Sequence, residues 1–469
     1  MKIVIVGGGI SGWLSALIFS HRKPNHEYVI IESSDVNTIG VGEGTTGLFV
    51  QTIEQLPDIN VAEFLRETKA TPKIGIEFNN WSGKGSTFFN PIDGTLTTNE
   101  DFDSFLYFTY IQNSSLDTSS LHGLLKRKNK SPYTEKLKDY NSALHLDNKL
   151  TIQYLKSKSL KRKNIKYISD TVSKIERDET GKVEKIICSN NIIEGDIFID
   201  CTGYSRIFSE KSDWVSFKNN LPMNSVTTFT RKHNVSMVTK ADKLNLGWCW
   251  QIPTQERIGC GYVSCDQWGN SVIDEIKSNY PDAEILKSFK FDSGKLKKSW
   301  NHNVISLGLA YHFLEPLQAT NIHLTLVQID ILCQRCIRQT KDRTLNPDVI
   351  SIYNKHIDDL IEDFKNFINI HYSRDSRVTL TDYNKKIISL LKVRGLFFED
   401  LPQLYGCSGI GLWGHTLLGL NHLTKQECHN FLSEMNLYEE VKEISSELQT
   451  IFKNTSFISY QELIKKLSI

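Results

Sequence analysis

Residues 2–12 read KIVIVGGGISG, and the reading of this stretch decides the fold. Lys2-Ile3-Val4-Ile5-Val6 is a short apolar run, which predicts a buried parallel strand. Gly7-Gly8-Gly9-Ile10-Ser11-Gly12 follows as a G-x-G-x-x-G, and residues 13–21 read as a helix. Tyr28-Val29-Ile30-Ile31 then predicts a second strand that ends at Glu32. In a dinucleotide-binding unit each position has a physical job. Gly7 makes the tight turn, Gly9 lets a pyrophosphate approach the backbone, and Gly12 lets helix and strand pack closely. The helix N-terminus offers N–H donors and the positive end of its dipole to phosphates. Glu32 follows at the distance expected of a carboxylate that holds ribose hydroxyls.

Downstream, residues 171–176 and 182–188 read as strands around an Asp178-Glu179-Thr180-Gly181 turn, and residues 195–203 form a return strand ending in Thr202-Gly203. Many flavin monooxygenases close their FAD module with such a small antiparallel sheet and return strand. A glycine fingerprint that opens at residue 7 favours FAD over NAD by the same analogy, and no second G-x-G-x-x-G offers a nicotinamide site.

The bulk numbers bound the rest. With 55 Lys+Arg against 54 Asp+Glu, the net charge of +1 implies no pull toward nucleic acid or a membrane. The basic run at 156–163 reads as a solvated helix face. No stretch of apolar residues is long enough to span a bilayer. Nine cysteines, and no secretory signal, point to free thiols in a reducing cytoplasm. No metal site is read. Residues 354–370, with Ile357, Leu360, Ile361, Phe364, Phe367 and Ile368 at helical spacing, predict an amphipathic helix, as do 439–453. The expected architecture is α/β: an FAD-binding, Rossmann-like box of mixed sheets over 1–340, and a helical substrate-side region over 341–469, in one unit.

Further motifs are more specific. Ile39-Gly40-Val41-Gly42-Glu43-Gly44 places three glycines within five positions, and Trp248-Cys249-Trp250-Gln251-Ile252-Pro253 is a W-x-W-x-I-P. At spacing two on a strand, Trp248 and Trp250 share one face and Cys249 takes the other. Ala143-Leu144-His145-Leu146-Asp147, Phe198-Ile199-Asp200-Cys201-Thr202-Gly203-Tyr204, Gly259-Cys260-Gly261-Tyr262-Val263, Phe313-Leu314-Glu315-Pro316-Leu317 and Ile370-His371-Tyr372 complete the set. With these motifs the chain resembles the flavin-dependent halogenases of the tryptophan halogenase family, from residue 1 to about 377.

The resemblance implies a reaction. Reduced flavin reacts with O2 to give a C4a-hydroperoxide, halide (chloride, bromide or iodide) attacks it, and hypohalous acid passes down a tunnel to a lysine. That lysine matches Lys73, in Thr71-Pro72-Lys73-Ile74-Gly75-Ile76-Glu77. An ammonium can polarise hypohalous acid by a hydrogen bond, and a neutral amine can form a haloamine; burial lowers a lysine's pKa and opens both routes. Trp248 and Trp250 would line the tunnel between flavin and lysine, and exclude organic substrate from the flavin. Cofactor contacts are implied for Gly7, Gly9, Ser11, Gly12, Glu32, Gly42, Glu43, Val172 and Leu317. The backbone N–H groups of Thr320 and Asn321 match the halide site. FADH2 would come from a separate reductase, and the acceptor would be an electron-rich aromatic small molecule; self-association is left open.

One position departs from the family pattern. The second glutamate of E-P-L-E falls at Gln318. An amide donates and accepts hydrogen bonds but takes up no proton as a carboxylate does. Either Gln318 orients Lys73 or the hypohalous acid while another base or water takes the arenium proton, or activity is altered. Two alternatives therefore stay open: a flavin-dependent aromatic hydroxylase, and a catalytically impaired flavin-binding homologue. On the substrate side, Phe397, Phe398 and Trp413 read as core aromatics rather than a substrate clamp.

Overall fold

The computed structural model describes residues 1–34, 42–92, 104–112, 116–234, 236–401 and 410–467. The run 2–6 forms β1 (Lys2–Val6), an inner strand of a six-stranded sheet. Burial on both faces explains its unbroken apolar sequence. The helix α1 (Ile10–Arg22) begins at Ile10 rather than at 13. Gly12 lies inside its first turn, where a Cβ would come 1.9 Å from the Gly7 carbonyl oxygen. That glycine therefore serves close packing and does not break the helix. β2 (Glu27–Glu32) and the return strand Ile197–Asp200 flank β1 in parallel, the latter in register from Ile3↔Ile197 to Val6↔Asp200. The expected hairpin forms from Val172–Arg177 and Val183–Cys188, and Ile192–Glu194 adds a third strand.

Two further sheets position the interior. β3 (Glu43–Gly44) and β4 (Thr71–Lys73) both pair antiparallel with β5 (Ala143–Leu146). β4 runs on into Gly75–Asn79, which belongs to a seven-stranded sheet. Inside that sheet lies β6 (Gly247–Pro253), buried along its whole length. As expected of alternation, Trp248 and Trp250 join the main core, while Cys249 packs with Phe229, Tyr262, Ile276 and Tyr280 on the other side.

Among the helices, α2 (Thr320–Ile331) crosses the box and α3 (Pro347–His371) covers it. α3 starts before the expected 354 because Asn346 caps it, accepting from the Asp348 N–H at 2.9 Å, with Pro347 in the first turn. The second expected helix spans Tyr438–Asn454. The region read from sequence as wholly helical also carries a strand, Phe457–Ser459, paired with Lys130–Thr134. Three residues are too few to show a strand period. The helical side also draws on residues near the middle of the chain: Leu106, Tyr107 and Leu116 share a cluster with Trp413, Phe431 and Leu432. Trp413 is core as read, whereas Phe398 is 40% exposed.

The basic run is a correction. On the helix Asn148–Ser159, Lys156 Nζ sits 2.5 Å from Glu32 Oε2 and over the Tyr167 ring, and Lys158 pairs with Glu63 at 2.9 Å. Facing carboxylates turn these two lysines inward, which composition could not show. The eight cysteines among the described residues are free. No helix among them is long and apolar enough to cross a membrane.

Candidate functional site

The glycine turn opens onto a cavity of about 320 Å³. Gly9, Ser11, Gly42 and Glu43 line one side; Lys73, Trp248 and Trp250 another; Leu317, Gln318 and Asn321 a third. One chamber thus gathers residues spread over more than 300 positions of sequence. Gly7, Gly12 and Glu32 stand behind it as support. Gly7 holds φ +119°, the turn conformation expected of it. A Cβ on Gly9 would meet nothing within 4 Å, so this is the open approach to the α1 N-terminus. The Glu32 carboxyl lies against Gly8, with its Oε2 engaged by Lys156 and Tyr167. An open glycine, a helix N-terminus behind it and an anchored carboxylate fit the pyrophosphate and ribose of a dinucleotide. Val172 lies away from the chamber, on the strand after Thr171, whose hydroxyl meets Ser33 at 2.7 Å. Ile39, Gly40 and Val41 of the glycine loop fall outside the described residues.

Lys73 is 1% exposed, and its Nζ donates to the Thr45 carbonyl at 3.0 Å. β5 creates this meeting by pairing with β3 on one edge and β4 on the other. A Cβ on Gly44 would lie 3.1 Å from Nζ, a close contact that the ammonium could relieve only by moving a few tenths of an ångström. Beneath, the Thr71 hydroxyl donates to the Pro253 carbonyl at 2.7 Å and also meets His145 Nδ1 at 3.0 Å. The hydroxyl's one proton goes to the carbonyl, so Nδ1 carries the imidazole proton, and Nε2 accepts from Thr239 at 2.8 Å. Burial, and then the Lys73 charge, hold His145 neutral. This chain of bonds ties the lysine strand to the end of the tryptophan strand.

The third wall is a strained turn. Gln318 (φ +65°) and Ala319 (φ +57°) are consecutive left-handed residues, each costing on the order of 1–3 kcal/mol. They deliver the chain into α2 with the N–H groups of its first turn at the chamber edge. Asn321 lines the chamber; the Thr320 side chain is buried and does not. Gln318 Nε2 lies 2.9 Å from His371 Nε2, at the end of α3.

Aromatic rings close the space. Trp250 lies across Gly261 of the neighbouring strand, where a Cβ would come 2.1 Å from the ring. Trp248 meets Trp250 and Trp81, each at 6.0 Å between centroids. Behind Trp248, burial raises the Glu315 carboxyl to about 8, opposed by the Tyr372 hydroxyl that bonds it. Burial likewise raises Glu43, opposed by Asn148 at 2.7 Å. No local pattern marked Thr45, His145 or His371 as partners of site residues. The glycines at 44 and 261, within strands, were the available signals of close approach.

A family model described as tryptophan halogenase matches residues 2–405, beyond the 377 or so residues over which the motifs carry the resemblance. Tryptophan 7-halogenase RebH of Lentzea aerocolonigenes is 24% identical over 409 residues, covering 79% of this chain and 76% of the relative. Among solved structures, Tar14, a tryptophan C-6 flavin-dependent halogenase from taromycin biosynthesis, superposes with a TM-score of 0.86 at 22% identity over the full length of both chains. Xcc4156, a flavin-dependent halogenase from Xanthomonas campestris, gives 0.85 at 23% identity over 99% of this chain and 98% of its own. With this match over most of its length, and with the fold and chamber described above, the chain belongs to the tryptophan halogenase family of flavin-dependent oxidoreductases.

Proposed function

We propose that the chain makes hypohalous acid from halide with FADH2 and O2, and passes it by way of Lys73 to an electron-rich aromatic small molecule. The observation that carries this reading is a buried lysine in the same chamber as an open dinucleotide cradle, with two tryptophans in its lining. Bound flavin, reduced by a separate reductase and supplied with O2, provides the oxidant. The chain supplies position. Gly9 and the α1 N-terminus hold the pyrophosphate, and Glu32 the ribose. The first turn of α2 offers N–H donors and a positive dipole end to halide, at Thr320 and Asn321. Trp248 and Trp250 bar an organic substrate from the flavin side. That barrier speaks against the aromatic hydroxylase, which must bring substrate to the flavin.

At the lysine, an N–H donated to the oxygen of hypohalous acid draws electrons from the O–halogen bond. The ring's π electrons form the carbon–halogen bond as the O–halogen bond breaks. The departing hydroxide and the ring proton leave as water. Burial favours this step, because a hydrogen bond is stronger where water is excluded. The test is an assay with flavin reductase, FAD, NADH and bromide over a panel of phenols and indoles, beside Lys73→Ala. Halogenated product that depends on bromide and is lost in Lys73→Ala is expected. No product across the panel, or full activity in the variant, overturns the reading.

A further inference from the structure

The partner of Gln318 is His371, and the two fix each other's hydrogen-bonding sense. His371 Nδ1 lies 2.8 Å from the Phe367 carbonyl oxygen. A carbonyl only accepts, so Nδ1 carries a proton. The ring is fully buried between Phe78 (5.1 Å between centroids), Trp81 (6.2 Å) and Phe367 (5.1 Å). Burial lowers its pKa to about 4, and no charged neighbour contributes to the shift. The ring is therefore neutral near pH 7, and its Nε2 presents a lone pair. Only the NH2 of Gln318 can meet that lone pair at 2.9 Å; the amide oxygen would repel it. The amide orientation is thus determined by the histidine tautomer.

We propose that His371 is a positioning residue that turns the Gln318 amide so that its carbonyl oxygen faces the chamber shared with Lys73. At the place where the family pattern has a carboxylate, this chain presents an oriented, neutral acceptor. That oxygen accepts the O–H of hypohalous acid while Lys73 donates to its oxygen, which leaves the halogen end directed outward. The ring proton then passes to water, and no ionisation at position 318 enters the reaction. The role rests on the halogenase reading above; the hydrogen-bond pair does not.

The test separates the two. Long-range ¹⁵N–¹H spectra of the histidine-labelled protein without cofactor, with His371 assigned by difference against His371→Leu or His371→Asn, should show the neutral Nδ1–H tautomer from about pH 6 to 8. In Gln318→Glu the new carboxylate favours the imidazolium, so His371 protonation should rise into about that same range. In Gln318→Leu the Nε2 resonance should shift for loss of its donor, and kcat should fall at least about 10-fold with halide KM within about 2-fold. An Nε2–H or charged His371 in the wild type, an unmoved His371 pKa in Gln318→Glu, or full kcat in Gln318→Leu overturns the inference. A wild type with the expected tautomer but no halogenated product overturns the halogenase reading and the role built on it, and leaves the oriented amide–imidazole pair standing.

Discussion

Gly9 and Gly12 stand in one fingerprint, yet the structure predicts that they fail in opposite ways. In Gly9→Ala the new methyl meets nothing within 4 Å, and the backbone there is extended (φ −77°, ψ −177°), open to alanine. Alanine caps a helix less well than glycine by some tenths of a kcal/mol, while stiffening the unfolded chain returns about 0.4–1 kcal/mol. The apoprotein should therefore keep its stability to within about 1 kcal/mol. The methyl instead occupies the approach of the pyrophosphate to the α1 N–H groups. Losing one or two charge-assisted hydrogen bonds should weaken FAD binding by about 10- to 100-fold, or about 1.4–2.8 kcal/mol. In Gly12→Ala the methyl would sit 1.9 Å from the Gly7 carbonyl oxygen, so helix or strand must shift by more than an ångström. Such overpacking costs about 3 kcal/mol before any ligand is added. Urea unfolding of both apoproteins and titration of FAD by quenching of its fluorescence read the two effects separately. Wild-type FAD affinity in Gly9→Ala, or a loss of apoprotein stability in it like that of Gly12→Ala, would refute the assignment of open and packed glycines.

Glu315 titrates higher in the fold (about 8) than the ordinary 4.5, because it is buried. Its raised pKa gives stability that is complete below about pH 4.5 and is lost as pH rises through about 8; at 1.36 kcal/mol per unit the loss is at most about 5 kcal/mol. Glu315→Gln, the shape of the neutral acid, should flatten urea midpoints between pH 5 and 8, and an unchanged pH slope would contradict the buried-acid account. Gly261→Ala should push the Trp250 ring from a methyl placed 2.1 Å away, costing about 1–3 kcal/mol. Trp250→Phe in the same chain should recover at least about 1 kcal/mol in a double-mutant cycle, and strictly additive losses would show that ring and glycine do not touch.

The strand–turn–helix–strand around KIVIVGGGISG was legible because every signal in it is local: an apolar run, glycines at fixed offsets, and an acid after the second strand. The shared face of Trp248 and Trp250 was legible because side chains alternate on a strand. The Lys73 neighbourhood was not. β3, β4 and β5 have two to four residues each and pair across roughly 70 to 100 positions, so none shows a period of its own. The inward turn of Lys156 and Lys158 was hidden for the same reason, since their carboxylate partners lie far away in sequence. Gln318 could be seen as a departure, but its meaning lay in a histidine 53 residues on. Gly44 and Gly261 were visible as strand glycines without their reason, which is the bulk of Lys73 and Trp250.

The acceptor that holds Lys73 is the main-chain carbonyl of Thr45. A carbonyl is common to all twenty amino acids, so no codon change deletes it. A saturation-mutagenesis map of this enzyme would therefore report the lysine's anchor indirectly. The position that responds should be Gly44, whose every replacement brings a carbon to 3.1 Å from the ammonium nitrogen and displaces it by a few tenths of an ångström. The residue that makes the bond would look less important in such a map than the one that makes room for it.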